Sequence, residues 1–329
     1  MGFSFHTRMG NRTGGHPVAA ATAGYLVVSM LLVAVISATL AASSPPAGAR
    51  AGDSATEPAD EPGDRDGLPG AGEPVRVARP TWDTGWFQAE ILAQLLAELG
   101  YAVDGPTTLD NESFYAGLAA GTVDVWLNGW FPLHRPLIDR LAPDDAEAVG
   151  FEVRGGALQG YLVERATADR LGIDDLGDLA DPAVASAFDV DGDGRADLIG
   201  CEGGWACGPI VEHHLEAYGL VDTVEQVSGD YGPLMEATVA RVAAGQPGLF
   251  YTFTPNCTTG VLVPGRDVTW LPVPFASLPA ELADQEPLTS VAGVDGCRRD
   301  PCPLGFAPND IRAVASTSFL DDHPAIEAL

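Results

Sequence analysis

The sequence contains no lysine: all 17 basic residues are arginine, set against 46 aspartates and glutamates. The formal net charge of −29 repels polyanions and excludes nucleic acid as a partner. No cysteine precedes Cys201, which excludes a lipidated cysteine at a mature N-terminus. No CxxC spacing or histidine pair beside the five cysteines supports a zinc site. There is no G-x-S-x-G elbow, no H-E-x-x-H and no phosphate loop, and spacing places no nucleophile–base pair. The chain therefore reads as non-enzymatic. It also lacks internal repeats. Disorder throughout is excluded, because 46% hydrophobic content and six tryptophans are enough for a core.

Residues 18–42 lack any charged side chain, and Arg8 and Arg12 precede them. A positive stretch before an apolar one is the pattern of an export signal; at 25 residues the run is also long enough to be a retained anchor. Residues 1–42 are assigned to this signal or anchor. Residues 43–74 are Pro-, Gly- and acid-rich with little to bury, and read as a flexible tether. The working part, from about Val75, is then expected outside the cytoplasmic membrane: secreted, periplasmic, or tethered to the membrane's outer face. Cysteine usage agrees with an oxidising compartment. Cys201 and Cys207 are six apart and Cys297 and Cys302 five apart, so each pair can close a small disulfide loop and leave Cys257 over. Metal binding is the competing reading for these clusters.

Past the tether, periodicity predicts alternating strands and helices. Val75–Ala78 reads as a strand and Trp82–Gly85 as a loop. Trp86–Leu99 reads as a helix whose apolar residues Phe87, Ile91, Leu92, Leu95 and Leu99 recur at helical spacing. Further strands are expected at 123–127, 160–163, 248–251, 268–271 and 311–314, with a short helix at 113–120. The class is α/β with largely parallel sheets, and the length suits two lobes with a ligand between them.

Two features carry chemistry. Asp189, Asp191, Asp193 and Asp197, with Gly192 between, match a calcium-loop spacing, but position 12 is Gly200 where a bidentate Glu belongs. An Asp/Gly surface turn without metal is the favoured reading, with structural Ca²⁺ the alternative and no other cofactor expected. The second feature is aromatic: Trp130, Trp205, Tyr251 and Phe253 sit beside Gly, Pro or strand ends, outside any helical stripe. Such residues are either core wedges or the walls of a binding cleft. Trp86, Trp126 and Trp270 lie within predicted elements and read as core. His213 and His214 lie on a predicted helix and read as surface or boundary residues.

At these residues the sequence resembles the substrate-binding proteins of glycine betaine/proline betaine ABC transporters, over almost all of residues 75–329. The stretches that carry the resemblance are ARPTWDTGWFQAEILAQLLAELGY, NGWFPLH, GALQGYLV, FDVDGDGRADLIGCEGGWACG, LFYTFTP, VTWLPVPF and GFAPNDIRAVAS. The resemblance implies a two-lobe, periplasmic-binding-protein-like α/β fold with a hinge and an interlobe ligand cleft. Lobe I would span 75–160, lobe II 161–272, and 273–329 would return to lobe I. The chain stops where the family normally continues, so the resemblance predicts a shortened C-terminus.

It also implies a site: a box of aromatic rings around a quaternary ammonium group. A trimethylated nitrogen has no N–H to donate, and its diffuse charge is met by π faces. Trp130 and Trp205 match box tryptophans, and Phe253 stands where the family pattern has Trp. His134 matches the histidine that contacts the ligand carboxylate. Ala206 and Cys207 match residues whose backbone N–H groups face it. Trp82 and Tyr251 are additional candidates. The implied function is capture of glycine betaine or a similar zwitterion for a membrane permease of an ABC importer. The alternative is a non-transporting remnant or ligand sensor of the same fold.

Overall fold

The computed structural model of the chain describes residues 67–142, 145–324 and 326. The apolar run at 18–42 and most of the tether lie outside the described residues. Among the described residues no helix is long and apolar enough to cross a membrane. The tether ends earlier than its composition predicts. Gly70 N–H donates to the Leu99 carbonyl (2.9 Å) and Gly72 N–H to that of Gly100 (3.0 Å). A Cβ at Gly70 would overlap the Tyr101 ring, so only glycine allows the chain to lie this close.

In chain order the first elements are β1 (Pro74–Arg79), α1 (Asp83–Glu98), β2 (Ala102–Thr108), α2 (Asn111–Ala119), β3 (Val125–Phe131), α3 (Arg135–Ile138) and the long β4 (Ala146–Glu164). There follow α4 (Arg165–Leu171), α5 (Pro182–Ala185), β5 (Ala196–Ile199), α6 (Gly208–Ala217), β6 (Val224–Val227), α7 (Tyr231–Ala243), β7 (Leu249–Thr254), α8 (Thr258–Val261) and β8 (Val268–Leu271). A 3₁₀ stretch (Ala280–Leu288), the two-residue strands β9 (Ser290–Val291) and β10 (Cys302–Pro303), β11 (Asn309–Ser316) and α9 (Thr317–Asp322) complete the chain.

The strands run in the order β2-β1-β3-β11-β4-β7-β5-β6, with β8 added on β4. β4 belongs to both halves of this array. Its residues from Ala146 to Ala157 pair with β11, and those from Leu158 onward pair with β7 and β8. The first lobe is thus built on β1, β2, β3 and β11, the second on β5, β6, β7 and β8. β4 carries the chain between them and β11 brings it back.

The pairing corrects the expectation of largely parallel sheets. β1 is parallel to β2 and β3, and β5 to β6 and β7. The pairs of β11 with β3 and β4, and of β4 with β7 and β8, are antiparallel. Helical crossovers make parallel neighbours. A strand that leaves a lobe and one that returns to it run in opposite directions.

The return also comes later than residue 273. Val273 N–H donates to the Pro303 carbonyl and Trp270 N–H to that of Gly296, and Arg298 pairs with Asp169. Residues 273–303 therefore hold mainly to the second lobe, and the first sheet is rejoined at β11.

Three further expectations fail. On α1 the buried residues are Gly85, Ala89, Leu92 and Leu96, packed with Val75, Val77, Val125, Phe319 and Leu320 around them. Phe87, Ile91 and Leu95 are 70%, 41% and 45% exposed. The helix carries apolar residues on two faces, and periodicity does not say which one meets the sheet. Trp86 is also partly exposed, its Nε1–H donating to the Pro80 carbonyl (2.6 Å) and its ring 5.0 Å from the Arg79 guanidinium. His214, in turn, is fully buried: Tyr161 Oη bonds Nδ1 (2.6 Å) and Nε2 bonds the Ser277 carbonyl (3.0 Å). Trp126 and Trp270 are core, as predicted.

Candidate functional site

Both disulfides are formed, Cys201–Cys207 and Cys297–Cys302, and Cys257 is free and exposed. The first closes the loop that enters α6, and that loop is one wall of a cavity between the lobes. From the first lobe the cavity is lined by Trp82, Asn111, Trp130, Leu133 and His134. From β4 and the second lobe come Gln159, Trp205, Ala206, Cys207, Tyr251 and Phe253. Every residue the sequence singled out for ligand binding is in this set.

Four aromatic rings follow one another around the cavity at steep angles. Trp130 meets Phe253 at 90° with centroids 5.6 Å apart, and Phe253 meets Trp205 at 77° and 5.8 Å. Trp205 meets Trp82 at 78° and 5.3 Å. Edge-to-face contact at each corner turns the rings into adjacent walls. Their indole N–H groups are bonded to the protein. Trp82 Nε1 and Trp130 Nε1 both donate to Asn128 Oδ1 (2.7 Å each), and Trp205 Nε1 donates to Thr81 Oγ1 (2.7 Å). The donors are satisfied elsewhere, so what the tryptophans offer the cavity is π surface. Behind them Tyr231 packs on Trp205 and Phe253 and donates its hydroxyl to the Tyr251 carbonyl (3.1 Å).

The sequence order positions these walls. Trp82 follows β1 and precedes the first residue of α1. Trp130 is near the end of β3, where the turn returns His134 N–H to the Trp130 carbonyl (2.6 Å). Phe253 lies on β7 directly opposite Gln159 of β4. Gly204, at φ +85°, carries the disulfide loop against Asp110, and a Cβ there would come within 2.9 Å of that side chain. Only glycine readily takes this backbone conformation.

The polar end is neutral. His134 is buried, and burial pushes its pKa down to about 3. Its Nδ1 is 3.2 Å from Tyr115 Oη and 3.3 Å from Trp130 N, and its Nε2 is 3.2 Å from Asn111 Nδ2. Ala206 N–H donates to Asn111 Oδ1 (3.1 Å) across the cleft. Ala206 and Cys207 immediately precede α6, where a helix leaves its first N–H groups without intrahelical partners. Tyr251 is an inner wall with its hydroxyl committed to Gln159 Oε1 (2.7 Å), while Gln159 Nε2 is buried with no hydrogen-bond partner among the described residues. Among the described residues no Asp, Glu or Arg lines this cavity. The chemistry it suits is a small molecule with an N–H-free cation at one end and a hydrogen-bond acceptor at the other.

Sequence reasoning did not single out Asn111, Asn128, Gln159, Tyr115 or Tyr231. Asn128 and Gln159 stand inside NGWFPLH and GALQGYLV, where neighbouring aromatics drew attention instead. Nothing local distinguishes Asn111 from a residue at the start of a capped helix.

The Asp189–Asp193 loop stands apart from the residues lining this cavity. One carboxylate oxygen each from Asp189, Asp191 and Asp193 lies within 4.8 Å of the others. Those side chains accept from the backbone N–H groups of Gly192, Asp193, Gly194 and Arg195, and Arg195 also pairs with Asp193. Asp197 is instead buried and accepts from Val190 N–H (2.6 Å).

Comparison with known proteins bears on this geometry. Residues 73–329 match the family described as the substrate binding domain of ABC-type glycine betaine transport system. The chain is 38% identical over 265 residues to the glycine betaine-binding periplasmic protein OusX of Dickeya dadantii, covering 80% of this chain and 77% of that one. It is 34% identical over 262 residues to the glycine betaine/proline betaine-binding periplasmic protein of Salmonella typhimurium, covering 80% and 76%. Among solved structures, the glycine betaine, L-proline ABC transporter binding protein (ProX) of Borrelia burgdorferi superposes with a TM-score of 0.57. That match has 16% identity and covers 76% of this chain and 77% of the other, which supports the two-lobe fold.

Proposed function

This chain belongs to the family of substrate-binding domains of ABC-type glycine betaine transport systems, and from that premise we propose that it captures glycine betaine or a related quaternary ammonium osmolyte outside the cytoplasmic membrane and hands it to an ABC importer's permease. The observation that carries the reading is the uncharged interlobe cavity with aromatic walls at one end and neutral donors at the other. Trp82, Trp130, Trp205 and Phe253 receive the trimethylammonium group. A cation within about 6 Å of a ring centroid gains roughly 0.5–2 kcal/mol per face, more as water is excluded. His134, Ala206 and Cys207 receive the carboxylate through N–H groups.

Phe253 offers a smaller π face than Trp, and Trp82 adds a fourth wall that offsets it. The role is binding rather than catalysis. Lobe closure about β4 and β11 over the ligand is the change the permease reads. The extracytoplasmic location is supported by the two disulfides and by the periplasmic relatives.

The test is titration calorimetry with glycine betaine beside its carbon isostere 3,3-dimethylbutanoate, in which an uncharged carbon replaces the quaternary nitrogen and the carboxylate is kept. Shape and apolar area are retained while the cation is lost. The expected result is saturable binding of glycine betaine and at least a tenfold weaker isostere. Equal affinity for the two overturns the aromatic-box reading, and binding of neither overturns the function.

A further inference from the structure

Resting on the site reading above, we propose that the Asn111 carboxamide is the internal stand-in for the ligand's carboxylate, and that its displacement makes Asn111 the residue that sets preference between quaternary ammonium ligands with and without a carboxylate.

The orientation of the Asn111 amide follows from its partners. A backbone N–H can only donate, so the atom facing Ala206 N at 3.1 Å is the oxygen Oδ1. The nitrogen Nδ2 therefore faces His134 Nε2 at 3.2 Å. Asn111 is buried, and its two bonds tie the first lobe to the loop of the second. These are the same two groups that a bound carboxylate requires. Ligand and Asn111 cannot both hold them.

Occupation by Asn111 also dictates where the His134 proton sits. Nδ2 donating to Nε2 places the neutral ring's hydrogen on Nδ1, where Tyr115 Oη accepts it at 3.2 Å and the Trp130 N–H, 3.3 Å from Nδ1, is left without its acceptor. A carboxylate at Nε2 demands the other tautomer, with hydrogen on Nε2 and a bare Nδ1. The protein is built for that state too: Trp130 N–H lies 3.3 Å from Nδ1, and the Tyr115 hydroxyl can turn to donate. Each ring nitrogen has a partner in both tautomers, and the Nε2–H tautomer also restores the Trp130 N–H bond to Nδ1. Choline carries the same cation but no carboxylate, so it does not compel the exchange.

The experiment measures glycine betaine and choline affinities by calorimetry for wild type, Asn111→Ala and Asn111→Asp, with thermal melts to establish folding. Asn111→Ala removes the competitor and is expected to tighten glycine betaine about threefold to tenfold, the range of one net hydrogen bond, while choline changes less than about twofold. Asn111→Asp installs a permanent carboxylate in the seat and is expected to weaken glycine betaine at least tenfold while choline holds or tightens. In wild type with ¹⁵N-labelled histidine, glycine betaine should move His134 from the Nδ1–H to the Nε2–H tautomer, and choline should not. Parallel changes for both ligands in both variants overturn the inference. So does selective weakening of glycine betaine by Asn111→Ala, which would make the carboxamide a direct ligand contact. An unmoved His134 tautomer overturns it in wild type alone, whatever the variants' folding. Wild type binding neither ligand would instead sink the function, a separate result.

Discussion

The Trp130 ring of the first lobe stands at 90° to the Phe253 ring of the second, with centroids 5.6 Å apart. The two rings come from β3 and β7, which share no hydrogen bonds. Their contact is made by lobe approach, so the cation seat is complete only when the lobes are near each other. Phe253→Leu keeps the apolar volume and removes the π face. It should weaken quaternary ammonium binding about 5- to 30-fold, the equivalent of roughly 1–2 kcal/mol. Calorimetry and an unchanged melting temperature check this.

Asn128 is the common acceptor of two indole donors, from Trp82 and Trp130. Asn128→Leu leaves both N–H groups buried without that partner. The expected loss of stability is about 2–4 kcal/mol by urea unfolding, since each orphaned donor costs about 1–3 kcal/mol and the rings can partly reorient. Ligand affinity should fall as well, because both walls lose their anchor.

Burial pushes the pKa of His134 and of His214 down to about 3. Their ordinary value is about 6.5, so between these limits the unfolded chain binds protons that the folded one refuses. Stability is therefore fully present above about pH 6.5 and falls as pH drops toward 3, by up to about 1.4 kcal/mol per pH unit for each ring. Urea unfolding at pH 7.5, 5.5 and 4.5 measures the slope. His214→Asn should be less stable at neutral pH and show a shallower decline on acidification. An unchanged slope would remove His214 from the account.

The Cys201–Cys207 bond spans a short loop, so its entropic contribution is modest, about 2 kcal/mol. Its larger effect is on binding, because the loop carries Trp205 and the N–H groups of Ala206 and Cys207. A Cys201→Ala, Cys207→Ala double variant should lose about 2 kcal/mol in unfolding free energy. Ligand binding should fall by about tenfold, since a mobile wall must be ordered at each capture.

Helix α1 separates sequence reasoning from structure most sharply. Leu92→Ala should cost about 2–5 kcal/mol, whereas Phe87→Ala on the same helix should stay within about 0.5 kcal/mol. Paired denaturant curves decide it. A large loss at Phe87 would mean that this face is covered in solution.

That helix shows how far the sequence reaches. Its existence and both ends were legible within a few residues, because spacing and a terminal glycine are local signals. Its buried face was not, since Phe87, Ile91 and Leu95 form as good a stripe as Ala89, Leu92 and Leu96. The same division holds at the site. The aromatics stood out by composition and by their place beside Gly, Pro and strand ends, and the cysteine spacings predicted both disulfides. His214, by contrast, reads as surface on its helix and is core only because Tyr161 and Ser277 converge on it from elements far away in the chain.

By itself, then, the sequence determined the residue kinds: arginine as the only cationic side chain, an apolar N-terminal run, two lobes' worth of α/β alternation, and the tryptophans, phenylalanine and histidine of the site. Tertiary structure decided which of these meet. It made β4 common to both lobes, set four rings at successive steep angles, and brought Asn111 of one lobe to Ala206 of the other. Those relations depend on contacts between residues about 50 to 180 positions apart, and such contacts follow from how the lobes pack rather than from any local pattern.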